Sequence, residues 1–288
     1  MIKYFICIIA SVTLFCSCQH KVEYKTNNHF INGNNYCLDG DLDKALDEFN
    51  IAIKEDAKNA KAFYGLGQVY FLLGKHDKAI ENYNKAIAID NQFAFAYYGK
   101  ASEESSQGDY ENAIHDLDKT IYLMPHLAGT YFQRGILYSN LGLYNKAISD
   151  FSKTIEIDSS RHSTYYYLGL CKGAEKDYEG AIKDYSTMIL YNPRHFRSLR
   201  GRATVYANLK KYDLAVADLT KAIEANPDYA NAYFDRGYCN YVLGYKELAC
   251  NDFQQAKQLG YRSADDYITK YCNAKSPPPI VKPDKSKN

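Results

Sequence analysis

The chain of 288 residues has room for one elongated domain or two compact ones. Its formal charge of +1 leaves no basic excess to attract nucleic acid. Hydrophobic residues make up 46% of it, too many for a disordered chain, and with 29 Tyr, 13 Phe and no Trp the aromatic packing falls to the first two.

Residues 1–18 read as an export signal. Lys3 gives a short positive start, and Tyr4 to Phe15 form an apolar run that ends at Cys16 and Cys18, just before polar Gln19, His20 and Lys21. The run is too short to span a bilayer comfortably but fits a signal-peptide core. The arrangement resembles a bacterial lipoprotein signal, in which a small residue precedes the cysteine that is cleaved and lipidated. Ser17 makes Cys18 the expected lipidation site; bulky Phe15 speaks against Cys16. Phe15 departs from the leucine usual in that pattern, and an ordinary secretory signal or an uncleaved anchor are the other readings. The resemblance implies a lipid anchor to a membrane of the bacterial cell envelope, on the outer membrane or the periplasmic face. Residues 19–25 form a short linker that reaches about 25 Å when extended.

From Thr26 the chain repeats itself every 34 residues without an insertion. Seven blocks start at Thr26, Ala60, Ala94, Ala128, His162, Phe196 and Ala230 and run to residue 261. A fixed period of this size points to stacked helical units. Position twenty is always alanine (Ala45, Ala79, Ala113, Ala147, Ala181, Ala215, Ala249), and position eight is always small (Gly33, Gly67, Ala101, Gly135, Gly169, Ala203, Gly237). Small residues at these two sites let two helices approach closely. Position twenty-four is bulky and apolar: Phe49, Tyr83, Leu117, Phe151, Tyr185, Leu219 and Phe253. Gly40, Gly74, Gly108, Gly142 and Gly244 mark turns between the helices. Pro125, Pro193 and Pro227 close blocks, where a helix does not easily continue. Each block is thus a helical hairpin with a small-residue crossing, and its apolar face needs a neighbour.

The pattern resembles the tetratricopeptide repeat family over residues 26–261. The resemblance implies an all-α, right-handed α-solenoid (superhelix) of seven two-helix hairpins. Position four, where the family favours tryptophan, holds Phe63, Tyr97, Tyr131, Tyr165 and Tyr233. His29 and Leu199 depart further, so the first and sixth repeats are expected to pack less well.

Residues 262–272 are predicted to form a capping helix over the last repeat, with Ser263 and Asp266 at capping-box spacing and Tyr267, Ile268 and Tyr271 on its apolar side. Residues 273–288, rich in Pro and Lys, have little to bury and are predicted to be a disordered tail. Cys250 stands where the other six blocks have Leu, Ile or Val, a site that faces the neighbouring helix. A Cys250–Cys272 disulfide is therefore expected, with Cys239 the rival partner. It would contribute about 3 kcal/mol by loop entropy.

No H-E-x-x-H, paired C-x-x-C, phosphate-cradling glycine loop or G-x-S-x-G occurs, so neither catalysis nor a cofactor is expected. His76, His115, His126, His162 and His195 fall at scattered phases, which predicts no metal site. The adjacent acids Glu103 and Glu104, and Asp265 and Asp266, do not face each other on a helix and are expected in solvent. Arg134, Arg202, Arg236 and Lys100 share position seven, and each of those four blocks carries Asp at position twenty-three: Asp150, Asp218, Asp252 and Asp116. Repetition of both partners predicts structural pairs within hairpins.

The family resemblance implies a concave groove that binds extended peptides or partner helices through positions two, five, nine, twelve and thirteen. On this chain position five gives Phe30, Tyr64, Tyr98, Phe132, Tyr166, Arg200 and Phe234. Arg197 at position two joins Arg200 as a candidate fork for a carboxylate or phosphate. Position nine (Asn34, Gln68, Ser102, Ile136, Leu170, Thr204, Tyr238) lacks the family's Lys and Asn carboxylate clamp. The expected function is a non-enzymatic scaffold for a protein or peptide partner, serving envelope protein assembly. A glycan- or peptidoglycan-binding lipoprotein using the tyrosine platforms is the alternative.

Overall fold

The computed structural model describes residues 28–272; the lipidation site at Cys18 and the tail at 273–288 lie outside them. Among the described residues there are fifteen α-helices, one π-helical turn and no strand. The helices are α1 (Asn28–Asp39), α2 (Leu42–Glu55), α3 (Ala60–Leu72), α4 (His76–Ile89), α5 (Ala94–Gln107), α6 (Tyr110–Leu123), α7 (Ala128–Asn140) and α8 (Tyr144–Ile157). They continue with α9 (Thr164–Ala174), α10 (Tyr178–Tyr191), α11 (Phe196–Asn208), α12 (Tyr212–Ala225), α13 (Ala230–Val242), α14 (Lys246–Gln258) and α15 (Ala264–Tyr267), then the turn Ile268–Cys272. The chain forms two compact units divided between Gln133 and Arg134, inside α7.

In the first unit α1 and α2, α3 and α4, and α5 and α6 form hairpins, and α2 packs on α3 and α4 on α5. In the second unit α9 and α10, α11 and α12, and α13 and α14 do the same, with α8 against α9, α10 against α11 and α12 against α13. The turns follow from local chemistry. Gly40, Gly74, Gly108, Gly142 and Gly244 take positive φ between the paired helices, where a Cβ would be strained. Two hairpins have lysine at that place: Lys176 (φ 64°) and Lys210 (φ 58°). Side chains of Asp41, Asn59, Asp109, Asp177 and His195 cap α2, α3, α6, α10 and α11 by accepting from the N–H three residues on.

The bulky residue at position twenty-four is a plug. Phe49, Phe151 and Phe253 are fully buried, and full burial of such a ring contributes on the order of 2–3 kcal/mol. Each plug covers the small position eight of its own hairpin. A Cβ built at Gly67 would lie 2.5 Å from the Tyr83 ring, and one at Gly135 would lie 2.8 Å from Phe151. The other side of the plug enters the following hairpin at position six. A Cβ at Gly65 would lie 2.5 Å from Phe49, one at Gly99 2.8 Å from Tyr83, and one at Gly201 2.5 Å from Tyr185. Where the plug is leucine, at Leu117 and Leu219, the next position six carries Gln133 or Asp235. Phe151 meets Tyr167 by stacking instead, with centroids 5.5 Å apart.

The repeated ion pairs form inside hairpins. Arg134 donates to both oxygens of Asp150 at 2.8 and 2.7 Å, Arg202 to Asp218 at 2.7 and 2.8 Å, and Arg236 to Asp252 at 3.0 and 2.7 Å. Lys100 Nζ reaches Asp116 at 2.7 Å. All four aspartates are buried, so water screens these pairs far less than surface ones.

Three expectations need correction. Leu199 is 1% exposed inside a core cluster, so an aliphatic residue fills position four of the sixth repeat without loss of packing. Glu103 and Glu104 are buried, at 0% and 7% exposure. Glu103 occupies position ten, where other hairpins put Val69, Leu137, Cys171, Val205 and Cys239 toward the interior. It is held by His76 Nδ1 at 2.7 Å, while Glu104 meets Lys100 at 3.0 Å. The third correction is at the lid. Ser263 makes no side-chain cap, because its own backbone is already helical (φ −74°, ψ −7°), and α15 is a single turn. Asp265 and Asp266 are exposed, as expected. Cys250 and Cys272 are joined by a disulfide, S–S 2.09 Å, while Cys37, Cys171 and Cys239 are free and buried.

Candidate partner-binding surface

In the first unit two position-five residues stand on the plugs. Phe30 leans on Phe49 with centroids 5.9 Å apart, and Tyr64 on Tyr83 at 5.8 Å. Tyr64 also meets Phe93 edge-on at 5.2 Å, and its hydroxyl accepts from Gln68 Nε2 at 2.7 Å. Burial holds its phenol far above the usual range, and the neighbouring Tyr98 adds to the effect. Tyr98 and Phe132 are half-buried. Gln133 Nε2 donates to Ser102 Oγ at 2.9 Å, which joins α7 to α5 beside this row.

In the second unit Tyr166 rests on Tyr185 at 6.2 Å and meets His195 edge-on at 5.4 Å. Burial raises its phenol, while nearby Arg197 and Arg200 pull it down; the fold thus brings these three candidates together. Arg197 is exposed, with its guanidinium 5.8 Å from the Phe196 ring. Arg200 already has a partner within the chain. Its Nε donates to Asp235 at 2.6 Å, and its guanidinium lies 5.8 Å from the Tyr229 ring. Burial works against its charge, but Asp235 outweighs burial and keeps the arginine more firmly protonated than usual. Phe234 is covered on three sides, by Tyr261 at 4.3 Å, Tyr267 at 4.7 Å and Phe253 at 5.6 Å.

The rows are therefore rigid half-buried rings whose lower faces the fold uses. What is open to a partner lies beside them. A cavity of about 270 Å³ between α11 and α13 is lined by Thr204, Asn208, Leu219, Asp235, Tyr238 and Tyr267. Thr204, Asn208 and Tyr238 are exposed, Tyr238 by 40%. Sequence reasoning placed Thr204 and Tyr238 at position nine but did not choose them. Asn208 falls at position thirteen, so the family's groove positions carried the signal. Arg194 and Lys221 line a separate cleft of about 460 Å³ whose third cation, Arg202, is bound to Asp218. Among the described residues, no group of three or more His, Cys, Asp or Glu is placed to hold a metal ion. No described helix is long and apolar enough to cross a membrane.

Paired helices of 11 to 14 residues, stacked through plugs and small-residue sockets, define a helical-repeat protein. Tetratricopeptide repeat family models match residues 60–93, 128–161, 163–219 and 200–260, and a TPR repeat model matches residues 33–74. Together these cover more than half of the chain, which belongs to the tetratricopeptide repeat family. Solved structures agree in fold. YrrB, described as a TPR protein with an unusual peptide-binding site, is 21% identical with TM-score 0.60, over 64% of this chain and 95% of that one. A tetratricopeptide repeat protein from Parabacteroides merdae is 23% identical with TM-score 0.60, over 85% and 98%. MamA is 24% identical with TM-score 0.53, over 57% and 96%.

Proposed function

We propose that this chain is a non-enzymatic scaffold that holds a protein or peptide partner on the odd-numbered helices of its hairpins. The observation that carries this reading is the surface of α11 and α13. There Arg197, Thr204, Asn208 and Tyr238 are exposed beside a row of rings fixed from below. Rigid aromatic and polar side chains on a preformed face bind with little ordering cost. YrrB, with the same fold and a described peptide-binding site, supports the reading.

The same proposal places the chain in the bacterial cell envelope, held to a membrane by lipid on Cys18. The disulfide at Cys250–Cys272 supports an oxidising compartment. The short linker would keep the bound partner near the bilayer, where envelope proteins assemble.

Selection of displayed random peptides against the oxidised protein tests the binding face. The expected result is an enriched sequence class whose binding falls at least tenfold in an Arg197→Ala/Tyr238→Ala variant with unchanged helicity. Binding indifferent to both changes, or tight binding of soluble polysaccharide in place of peptide, overturns it. A Cys18→Ala variant tests the anchor: it should leave the membrane pellet, and its retention there would remove the lipoprotein reading.

A further inference from the structure

We propose that the Cys250–Cys272 disulfide is a redox latch: its reduction releases the lid formed by residues 264–272 and opens the cavity between α11 and α13. This goes beyond partner binding and does not depend on it.

The lid has little else to hold it. α15 is one turn long, and Ser263 gives it no side-chain cap. The ion pair of Lys257 and Asp265 is more than half exposed at both ends, so it contributes little. Its apolar attachment is Tyr267, set against Phe234, Phe253 and Tyr238, and Tyr271 against Tyr241 at 4.3 Å. The disulfide ties the last residue of this segment to the middle of α14. Once it is cut, the lid's ordering rests on two tyrosine rings and the small buried side chain of Ala264 at its start.

The lid is also placed to matter. Tyr267 forms one wall of the 270 Å³ cavity, opposite Thr204 and Asn208, and covers Phe234. Removing that wall widens the cavity and bares the side of Phe234 that Tyr267 covers, while Tyr261 and Phe253 stay against it, so oxidation state sets the apolar surface shown between α11 and α13.

The chemistry balances with an external dithiol. One of its thiolates attacks a sulfur of the disulfide and displaces the other as thiolate, forming a mixed disulfide. The second thiol of the reductant then closes on that bond. Two electrons pass to the protein, Cys250 and Cys272 each gain a proton, and the reductant leaves as its own disulfide. Both cysteines are half-buried and can be reached. Cys239 borders the same cavity but is 2% exposed, and burial pushes its thiol up to about 12. It holds no useful fraction of thiolate, so the latch opens from outside and does not reshuffle internally.

The test is hydrogen exchange with side-chain oxidative footprinting on the wild-type protein from an oxidising compartment, before and after dithiothreitol, and again after reoxidation. Non-reducing peptide mapping comes first and should find Cys250 linked to Cys272. Reduction should then raise exchange in peptides spanning residues 261–272 at least tenfold. It should increase labelling of Tyr267 and Tyr238 and leave α11 and α12 unchanged; reoxidation should reverse each effect. A Cys272→Ser variant should behave as the reduced protein does. Free Cys272 in the oxidised protein, undiminished protection of residues 261–272 after reduction, or loss of protection throughout α11–α14 each overturns the latch.

Discussion

The ring of Tyr185 takes up the space that side chains at both Gly169 and Gly201 would need. Gly201 belongs to the next hairpin, so one aromatic residue decides what two hairpins tolerate. Gly201→Ala would put a Cβ 2.5 Å from a ring that is 5% exposed and backed by Tyr166. Overpacking of this kind costs about 1–3 kcal/mol. Chemical denaturation should show that loss, and Tyr185→Leu should relieve part of it in the Gly201→Ala background, since the hairpins that follow a leucine plug carry the side chains Gln133 and Asp235 at position six. An additive double-mutant cycle would reject the shared-volume account. The turn lysines give a change of opposite sign. Lys210 is held at φ 58°, so Lys210→Gly should stabilise by about 0.5–1 kcal/mol, the relief of left-handed strain less the entropy glycine adds to the unfolded chain. At this scale the plug and its own position-eight socket were legible as a repeated pair of residue types. The second socket was not, because position six varies with the plug it receives and shows no constant residue to notice.

Single helices carry two pH responses. α11 is capped by His195, whose ring accepts from the Ser198 N–H at 3.3 Å. Burial, and then the charge of Arg197, holds this histidine below its usual 6.5. The fold therefore favours the neutral ring, and the unfolded chain takes up the proton first as pH falls. The cap's contribution is complete above about pH 6.5 and is lost as pH drops through the lowered folded value. His195→Asn keeps an acceptor without titrating, so its stability should stay flat between pH 7 and 5 while that of the wild type falls; parallel curves would count against the cap. α5 behaves in the reverse sense. Burial raises the Glu103 carboxyl, only partly offset by His76, and its Oε1 is buried without a hydrogen bond. Its neutral form is favoured in the fold, so its contribution is greatest below the unfolded carboxylate value and is lost as pH rises. Glu103→Val restores the residue seen at Val69 and Val205, and His76, 45% exposed, remains solvated. The variant should match or exceed wild-type stability by about 1 kcal/mol at pH 7 and lose that advantage near pH 4. The exposure assigned to Glu103 from sequence went wrong because adjacency to Glu104 was weighed and its repeat phase was not. Position ten is an interior phase in the hairpins from Ala60 onward; only in the first, at Asn35, is it exposed.

At the scale of the molecule, a hairpin array has only nearest-neighbour glue. The helical repeat and its period could be read from sequence, because each hairpin restates the same packing rule; the lid's place was legible too, but not its missing Ser263 cap or its single turn. The binding surface was less legible. Phase alone cannot tell that Arg200 is spent on Asp235 or that Phe234 lies beneath Tyr267, since both partners sit outside their own hairpin's pattern. The same linear logic predicts how the second unit comes apart. Stability in such arrays is a sum of hairpin terms and interface terms, and weakening one interface leaves its neighbours whole. The contact of α10 with α11 runs through Tyr185 and Gly201, so Gly201→Ala weakens that joint and no other directly. Native-state hydrogen exchange should show α11–α14 opening as a block at lower denaturant than α9 and α10, where the wild type opens these helices together. A uniform loss of protection across α9–α14 would mean that the unit behaves as one globular core, and the nearest-neighbour account of its stability would fail.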